Sequence, residues 1–210
     1  MCHGETVVNS ELEKMLSESW RAVEARNDVI SGTNIRRPTM VPKDQPLRTG
    51  RVGSGFPVLK HLPQALEAAA PHALADLAQI FGELSGTIEW SQNAGYTSEN
   101  SSRSFLDGYA YASLSGPDGP ILCEAPMAGY MLLGPDVHYP DHRHQPREVY
   151  LVLTPGAQWS LDSGEWFDVA PGTVIVHDSW QKHAIRTGST PFLAFAAWLE
   201  AGPRSGISWA

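Results

Sequence analysis

The hydrophobic period of this chain switches at Gly86, and no other feature limits its fold as much. After that glycine, apolar residues alternate or cluster in short segments: Thr87–Trp90, Phe105–Leu114, Ile121–Leu133, Val149–Leu153, Ala157–Leu161, Glu165–Val169, Thr173–Val176, His183–Arg186 and Phe192–Leu199. Turn residues part them, most clearly Gly116-Pro117-Asp118-Gly119, Asp162-Ser163-Gly164 and Thr187-Gly188-Ser189. Many short strands at close intervals predict a mainly β domain over 86–210, a sandwich or barrel. No G-x-G-x-x-G, phosphate loop or nucleophile elbow interrupts them to suggest another chemistry.

Before Gly86 the period is helical. Ser10-Glu11-Leu12-Glu13 has the form of a capping box, and Leu12, Met15, Leu16, Trp20 and Val23 recur behind it, so an amphipathic helix is predicted from Ser10 to about Arg26. Its stripe is core or dimer contact, which leaves a homodimer open; no basic face accompanies it. The stretch 30–62 is rich in Pro, Gly and Arg and reads as a long irregular connection, either a lid over the barrel or a surface linker. Pro63–Ala70 and Pro71–Leu84 follow as helices, with Leu74, Leu77, Ala78 and Phe81 on one face and Pro71 in the first turn of its own helix. Residues 1–85 are therefore expected to be a helical extension with a lid loop.

A formal charge of −8 and a pI near 5.4 argue against a nucleic-acid groove, which needs clustered Lys and Arg. The 2 cysteines, Cys2 and Cys123, are too few for a disulfide framework, and a reducing cytoplasm is the default expectation. The N-terminus lacks the pattern of a signal peptide, and apolar runs such as Phe192–Leu199 fall far short of a membrane span.

The chemistry is concentrated in Val137–Leu153, V-H-Y-P-D-H-R-H-Q-P-R-E-V-Y-L-V-L, at the edge of an apolar run. In an extended strand residues i and i+2 share a face, so His142 and His144 can converge on one ion; Glu148 and Tyr150 share the same parity. A turn at Gln145-Pro146 would put the two pairs on adjacent strands facing one cavity. This N,N,O set suits a divalent first-row metal with positions left for substrate or water. A further ligand must come from elsewhere, and A-P-G-T-V-I-V-H-D-S-W-Q-K-H-A-I-R-T offers His177 and His183. His183, which opens the next alternating segment, is the first choice. His138 has the right parity, but Pro140 intervenes, so it reads as a rim residue; His3, His61 and His72 read as ordinary exposed or hydrogen-bonded histidines.

Taken together, H-x-H-x3-E followed by Pro-Gly and a distant His resemble the two motifs of the cupin superfamily, an antiparallel β-barrel (double-stranded β-helix) with a metal in its mouth. More narrowly, Tyr139, His142, His144, Glu148, Tyr150 and His183-Ala184-Ile185-Arg186-Thr187 resemble the dimethylsulfoniopropionate (DMSP) lyase cupins, the DddQ type and its DddL and DddW relatives. Weaker echoes lie in Trp90–Tyr96 and at Trp198. The resemblance implies that His142, His144, Glu148 and His183 hold one divalent transition metal, Zn2+, Fe2+ or Mn2+. It implies Tyr150 as the catalytic base and Tyr139 as a second tyrosine at metal and substrate. The reaction would be β-elimination of DMSP to dimethyl sulfide and acrylate.

A sulfonium can rest on aromatic faces without a buried anion. Of the 7 tryptophans and 6 tyrosines, Trp198 and Tyr139 are the first candidates for that contact. Two other readings stay open: a metal cupin of different chemistry, a dioxygenase or isomerase, and a non-enzymatic small-molecule-binding cupin. For Tyr150 the plain alternative is a strand tyrosine with its ring in the core.

Overall fold

The computed structural model describes residues 3–26, 29–30, 35, 37–40, 55–93, 95–116, 119–123, 125–200 and 208–209, of which 3–9, 29–30 and 208–209 as backbone alone. Helix α1 (His3–Glu24) is followed by strand β1 (Val29–Ile30), a 3-10 turn (Pro57–His61), α2 (Leu62–Ala69) and α3 (Ala75–Leu84). The backbone is already helical at Ser10, so the Ser10–Glu13 pattern lies inside α1 and does not cap it. The apolar stripe itself is as expected, with Leu12, Met15, Leu16, Trp20 and Val23 all buried. Pro63 sits in the first turn of α2, but Pro71 lies in the tight turn before α3, where Leu74 holds the N-cap position. The expected lid falls largely on 31–34, 36 and 41–54, outside the described residues. Among the described residues no helix is long and apolar enough to cross a membrane.

The strands come next: β2 (Trp90–Ser91), a short helix α4 (Arg103–Asp107), then β3 (Tyr109–Gly116), β4 (Ile121–Leu122), β5 (Met127–Leu133), β6 (His138–Arg143) and β7 (Glu148–Val152). They continue with β8 (Ala157–Leu161), β9 (Phe167–Val169), β10 (Val174–His177), β11 (His183–Thr187), β12 (Phe192–Trp198) and β13 (Ser208–Trp209). Thr87–Trp90 departs from the sequence reading, with only Trp90 in a strand, and two further segments depart as well. Phe105 belongs to α4, whose start is capped by the Ser102 hydroxyl accepting from the Phe105 N–H, and the strand begins only after Gly108. Ile121–Leu133 is split, because Pro126 has no N–H to continue a ladder.

One sheet runs β1-β10-β7-β12-β5-β3-β2 with β4 beside β3; the other runs β13-β6-β11-β8-β9. They face each other as the two walls of a cupin barrel. Parity sorts the large sheet. Val149, Leu151, Leu193, Phe195, Val174 and Val176 point outward into a core shared with α1, α2 and α3, while Tyr150, Val152, Ala194, Ala196 and Ile175 point into the barrel. Trp20 meets Phe195 edge-on at 5.5 Å, Phe81 stacks on Tyr130 at 4.1 Å, and Ser19 Oγ lies 2.7 Å from the buried Tyr130 hydroxyl. A sheet covered on both faces needs apolar residues at both parities, which is why Phe192–Trp198 is apolar throughout. The small sheet has a wet outer face, where His138, Arg143 and Arg186 are exposed.

Candidate metal centre

Strand register assembles the site as two facing rows. On the large sheet His177 lies opposite Glu148 and Glu148 opposite Trp198, so three neighbouring strands set these side chains abreast. On the small sheet His142 lies opposite His183. His144 follows β6 immediately, before the Gln145-Pro146 bend that leads into β7. The bend thus carries the chain from one sheet to the other, and the inward parity of Glu148 and Tyr150 completes the cavity. All five histidine and glutamate side chains are buried, His177 and His183 at 0% exposure.

What the imidazoles can do follows from their Nδ1 atoms. His142 Nδ1 lies 2.9 Å from the Pro140 carbonyl, His144 Nδ1 2.9 Å from that of Pro146, and His183 Nδ1 3.0 Å from that of Gln181. A carbonyl only accepts, so each Nδ1 carries a proton, and in the neutral form of each ring Nε2 keeps its lone pair. Backbone-anchored Nδ1–H groups of this kind fix the tautomer and ring orientation of metal-binding histidines. His142, His144 and His183 form one group whose ligand atoms all lie within 4.8 Å of one another; Glu148, His177 and His183 form a second. Both groups could hold a metal ion. His183 Nε2 is a buried polar atom with no hydrogen-bond partner, 3.3 Å from Glu148 Oε2, and His144 Nε2 is 3.2 Å from the same oxygen. Donor atoms about 3.4 Å apart are what a tetrahedral ion with bonds of about 2.0–2.2 Å requires.

Glu148 is the hub. Its Oε1 accepts from Trp198 Nε1 at 3.0 Å, and its Oε2 meets His144, His177 and His183. Burial alone would raise its pKa, but the His144 charge and the three imidazole contacts reverse this and hold it well below the usual carboxylate range. Burial and the neighbouring imidazoles push His142 well down and His183 to about 4, and burial lowers His177 too, so these rings are neutral. His144 differs: burial would lower it, but the Glu148 carboxylate overrules that and raises it.

The rest of the cavity is phenolic. Its void, mouth included, is about 590 Å³, and Tyr96, Tyr109, Tyr111, Tyr139 and Tyr150 line it together with the centre's outer residues. Tyr139 stacks on His142 at 4.2 Å and its hydroxyl bonds that of Tyr96. Tyr150 meets Trp159 edge-on at 5.0 Å, with its hydroxyl 3.9 Å from Met131 Sδ. Trp198 packs on His144 at 4.6 Å. All the residues singled out from the sequence therefore meet in one place, while His138 is exposed. Beforehand Tyr96 was visible only in the weak echo of Trp90–Tyr96, and Tyr109 only as a residue of the strand candidate Phe105–Leu114. His177, left open beside His183, is inside the cluster.

A two-sheet antiparallel barrel with imidazoles and a carboxylate inside its mouth is a cupin. This one belongs to the DMSP lyase family, whose model matches residues 33–194. A putative DMSP lyase DddL of Cereibacter sphaeroides is 31% identical over 143 residues, 68% of this chain and 59% of that protein, so the match spans less than two thirds of its length. The DMSP lyase DddQ of Ruegeria pomeroyi is 26% identical over 206 residues, 94% of this chain and 95% of its own. The crystal structure of DddQ from Ruegeria pomeroyi superposes with a TM-score of 0.68 at 23% identity over 96% of each chain. A chain from the crystal structures of the DMSP lyases RdDddP and RnDddQII does so with a TM-score of 0.70 at 22% identity, over 98% and 99%. These structures share the fold.

Proposed function

We propose that this chain is a metal-dependent DMSP lyase, splitting dimethylsulfoniopropionate by β-elimination into dimethyl sulfide and acrylate. The observation that carries the reading is the set of three anchored imidazoles, His142, His144 and His183, the last two against an ionised Glu148, in the same cavity as Tyr150. His142, His144, His183 and Glu148 hold the ion, and Zn2+, Fe2+ and Mn2+ all suit this donor set. When bound, a divalent ion would act as a Lewis acid on the substrate carboxylate and favour a Tyr150 phenolate. Without that charge, burial and the Glu148 carboxylate hold the Tyr150 phenol well above its ordinary pKa.

Tyr150 takes the proton from the carbon next to the carboxylate. The C–H electron pair becomes the new C=C bond as the C–S bond breaks, dimethyl sulfide leaves as a neutral molecule, and the proton stays on the phenol oxygen. Tyr139, stacked on His142, and Trp198 present aromatic faces to the sulfonium, a contact of about 0.5–2 kcal/mol each. Residues 1–85 are read as a helical extension whose apolar faces cover the outside of the large sheet, a reading supported by the core that α1 to α3 share with it.

The test is headspace dimethyl sulfide from purified protein of known metal content, with a chelated sample and Tyr150→Phe as controls. Rapid release is expected, lost on chelation and reduced roughly 10²–10⁴-fold in kcat by the substitution while metal content stays the same. No release after reloading with Zn2+, Fe2+ or Mn2+ would move the function to another cupin chemistry, and undiminished turnover by Tyr150→Phe would remove the base.

A further inference from the structure

His177 differs from its three neighbours in one respect. Its Nε2 lies 3.0 Å from Trp159 Nε1, and an indole nitrogen only donates, so Nε2 must be the accepting nitrogen of that contact. The ring proton then sits on Nδ1, which is 3.2 Å from Glu148 Oε2. Where His142, His144 and His183 spend Nδ1 on a backbone carbonyl and turn Nε2 inward, His177 has both nitrogens engaged by side chains. A ligand role would require it to give up either the Trp159 hydrogen bond, leaving a buried N–H unpaired at a cost of about 1–3 kcal/mol, or its contact with Glu148.

The surroundings hold the ring still. His177 is fully buried, stacks on His183 at 3.7 Å between ring centres, and lies opposite Glu148 in the β10–β7 register. On the other side of Glu148 in the same row stands Trp198, donating to Oε1. The carboxylate is therefore gripped by an N–H on each oxygen, which sets the plane it presents to His144 and His183.

We infer that His177 is a positioning residue. Locked by Trp159 as the Nδ1–H tautomer, it donates to Glu148 Oε2 and aims that carboxylate at the imidazole group, without ligating. This rests on the metal-site reading above and deepens it.

Two measurements test it. In the metal-free protein, nitrogen NMR of the histidine rings should find His177 with a slowly exchanging Nδ1–H and a bare Nε2; a proton on Nε2 instead would overturn the assignment. This arm needs no metal, so it decides the tautomer even if the protein takes up no cation and the metal-site reading fails. The second arm is competitive Zn2+ titration. His177→Asn, whose amide nitrogen can replace the Nδ1 donor, is expected to bind within about threefold of the unsubstituted protein, and His177→Ala about 10–100-fold more weakly with unchanged stoichiometry. Equal loss in both variants, or a drop in stoichiometry, would make His177 a ligand. Trp159→Phe, which frees Nε2, should fall between them.

Discussion

The two halves of the cavity use polar groups in opposite ways. In the imidazole half Nδ1 of His142, His144 and His183 rests on backbone carbonyls, Nε2 of His144 and His183 lies 3.2 and 3.3 Å from Glu148 Oε2, and the pKa shifts point to one charge pattern: Glu148 ionised, His142, His177 and His183 neutral. In the phenol half the hydroxyls of Tyr96, Tyr139 and Tyr150 are buried, which pushes all of them well above their ordinary range and keeps them protonated. One half is organised around a charge, and the other excludes charge. A base drawn from the phenol half can therefore work only when something in the imidazole half changes the local field, which is a physical reason for an elimination of this kind to depend on a cation.

The sharpest way to break that contrast is to neutralise its hub. Glu148→Gln keeps the size of the side chain and removes the charge toward which His144, His177 and His183 are turned. Metal retained after dialysis should fall by more than a hundredfold and turnover by on the order of a thousandfold, since outer residues alone typically cost 10–100-fold. Retention of metal by this variant would show that the imidazoles suffice and that the contrast is not centred on the carboxylate.

A smaller substitution separates the two jobs assigned to Trp198. Trp198→Phe keeps an aromatic face on the cavity but deletes the N–H that grips Glu148 Oε1. Metal affinity is expected to drop on the order of tenfold with KM little altered, read by competitive titration beside steady-state kinetics. A raised KM with metal affinity intact would assign Trp198 to the phenol half of the cavity as a substrate surface.

How much of this was visible in the sequence follows the same division. His142, His144, Glu148 and Tyr150 sit within nine residues, and parity plus the Gln145-Pro146 bend is enough to bring them together, because a local pattern dictates local geometry. Most strands of the large sheet were legible because both of its faces are buried, but the two-residue β1 carries no period of its own and was not read as a strand. β6 was harder: H-Y-P-D-H-R carries no apolar alternation, and its pairing with β11 and β13 is what makes it a strand. The choice between His177 and His183 was not decidable locally. The contact that sets His177 apart is made by Trp159, a partner 18 residues away on a different strand. Tyr96 lies in a turn-rich stretch with no period, and only tertiary packing sets its hydroxyl on Tyr139. At Ser10 the pattern misled, since Ser and Glu on the exposed face of a running helix look the same as a cap.

The smallest predicted effect reads the two halves at opposite ends of the pH scale in the metal-free protein. His183 is held at about 4 against 6.5 unfolded, and His142 and His177 are lowered as well. Between those values the unfolded chain binds more protons than the folded one, so stability is full above about pH 6.5 and declines as pH falls toward about 4. His144, raised, works the other way and outside this window: its contribution is complete below about 6.5 and is lost as pH rises above that value. A drop in Tm on the order of 5 °C across that window is expected, at about 2–4 °C per kcal/mol for a chain of this size. The phenols behave in the opposite sense. Their folded pKa values lie above 10, so the folded state holds the protons longer, and stability falls only as pH rises past about 10. Thermal melts from pH 4 to 11, with phenolate absorbance followed at the alkaline end, check both limbs. Ionisation of these tyrosines before unfolding would mean that the phenol half is wetter than its burial implies, and the field change required to make Tyr150 a base would be correspondingly smaller.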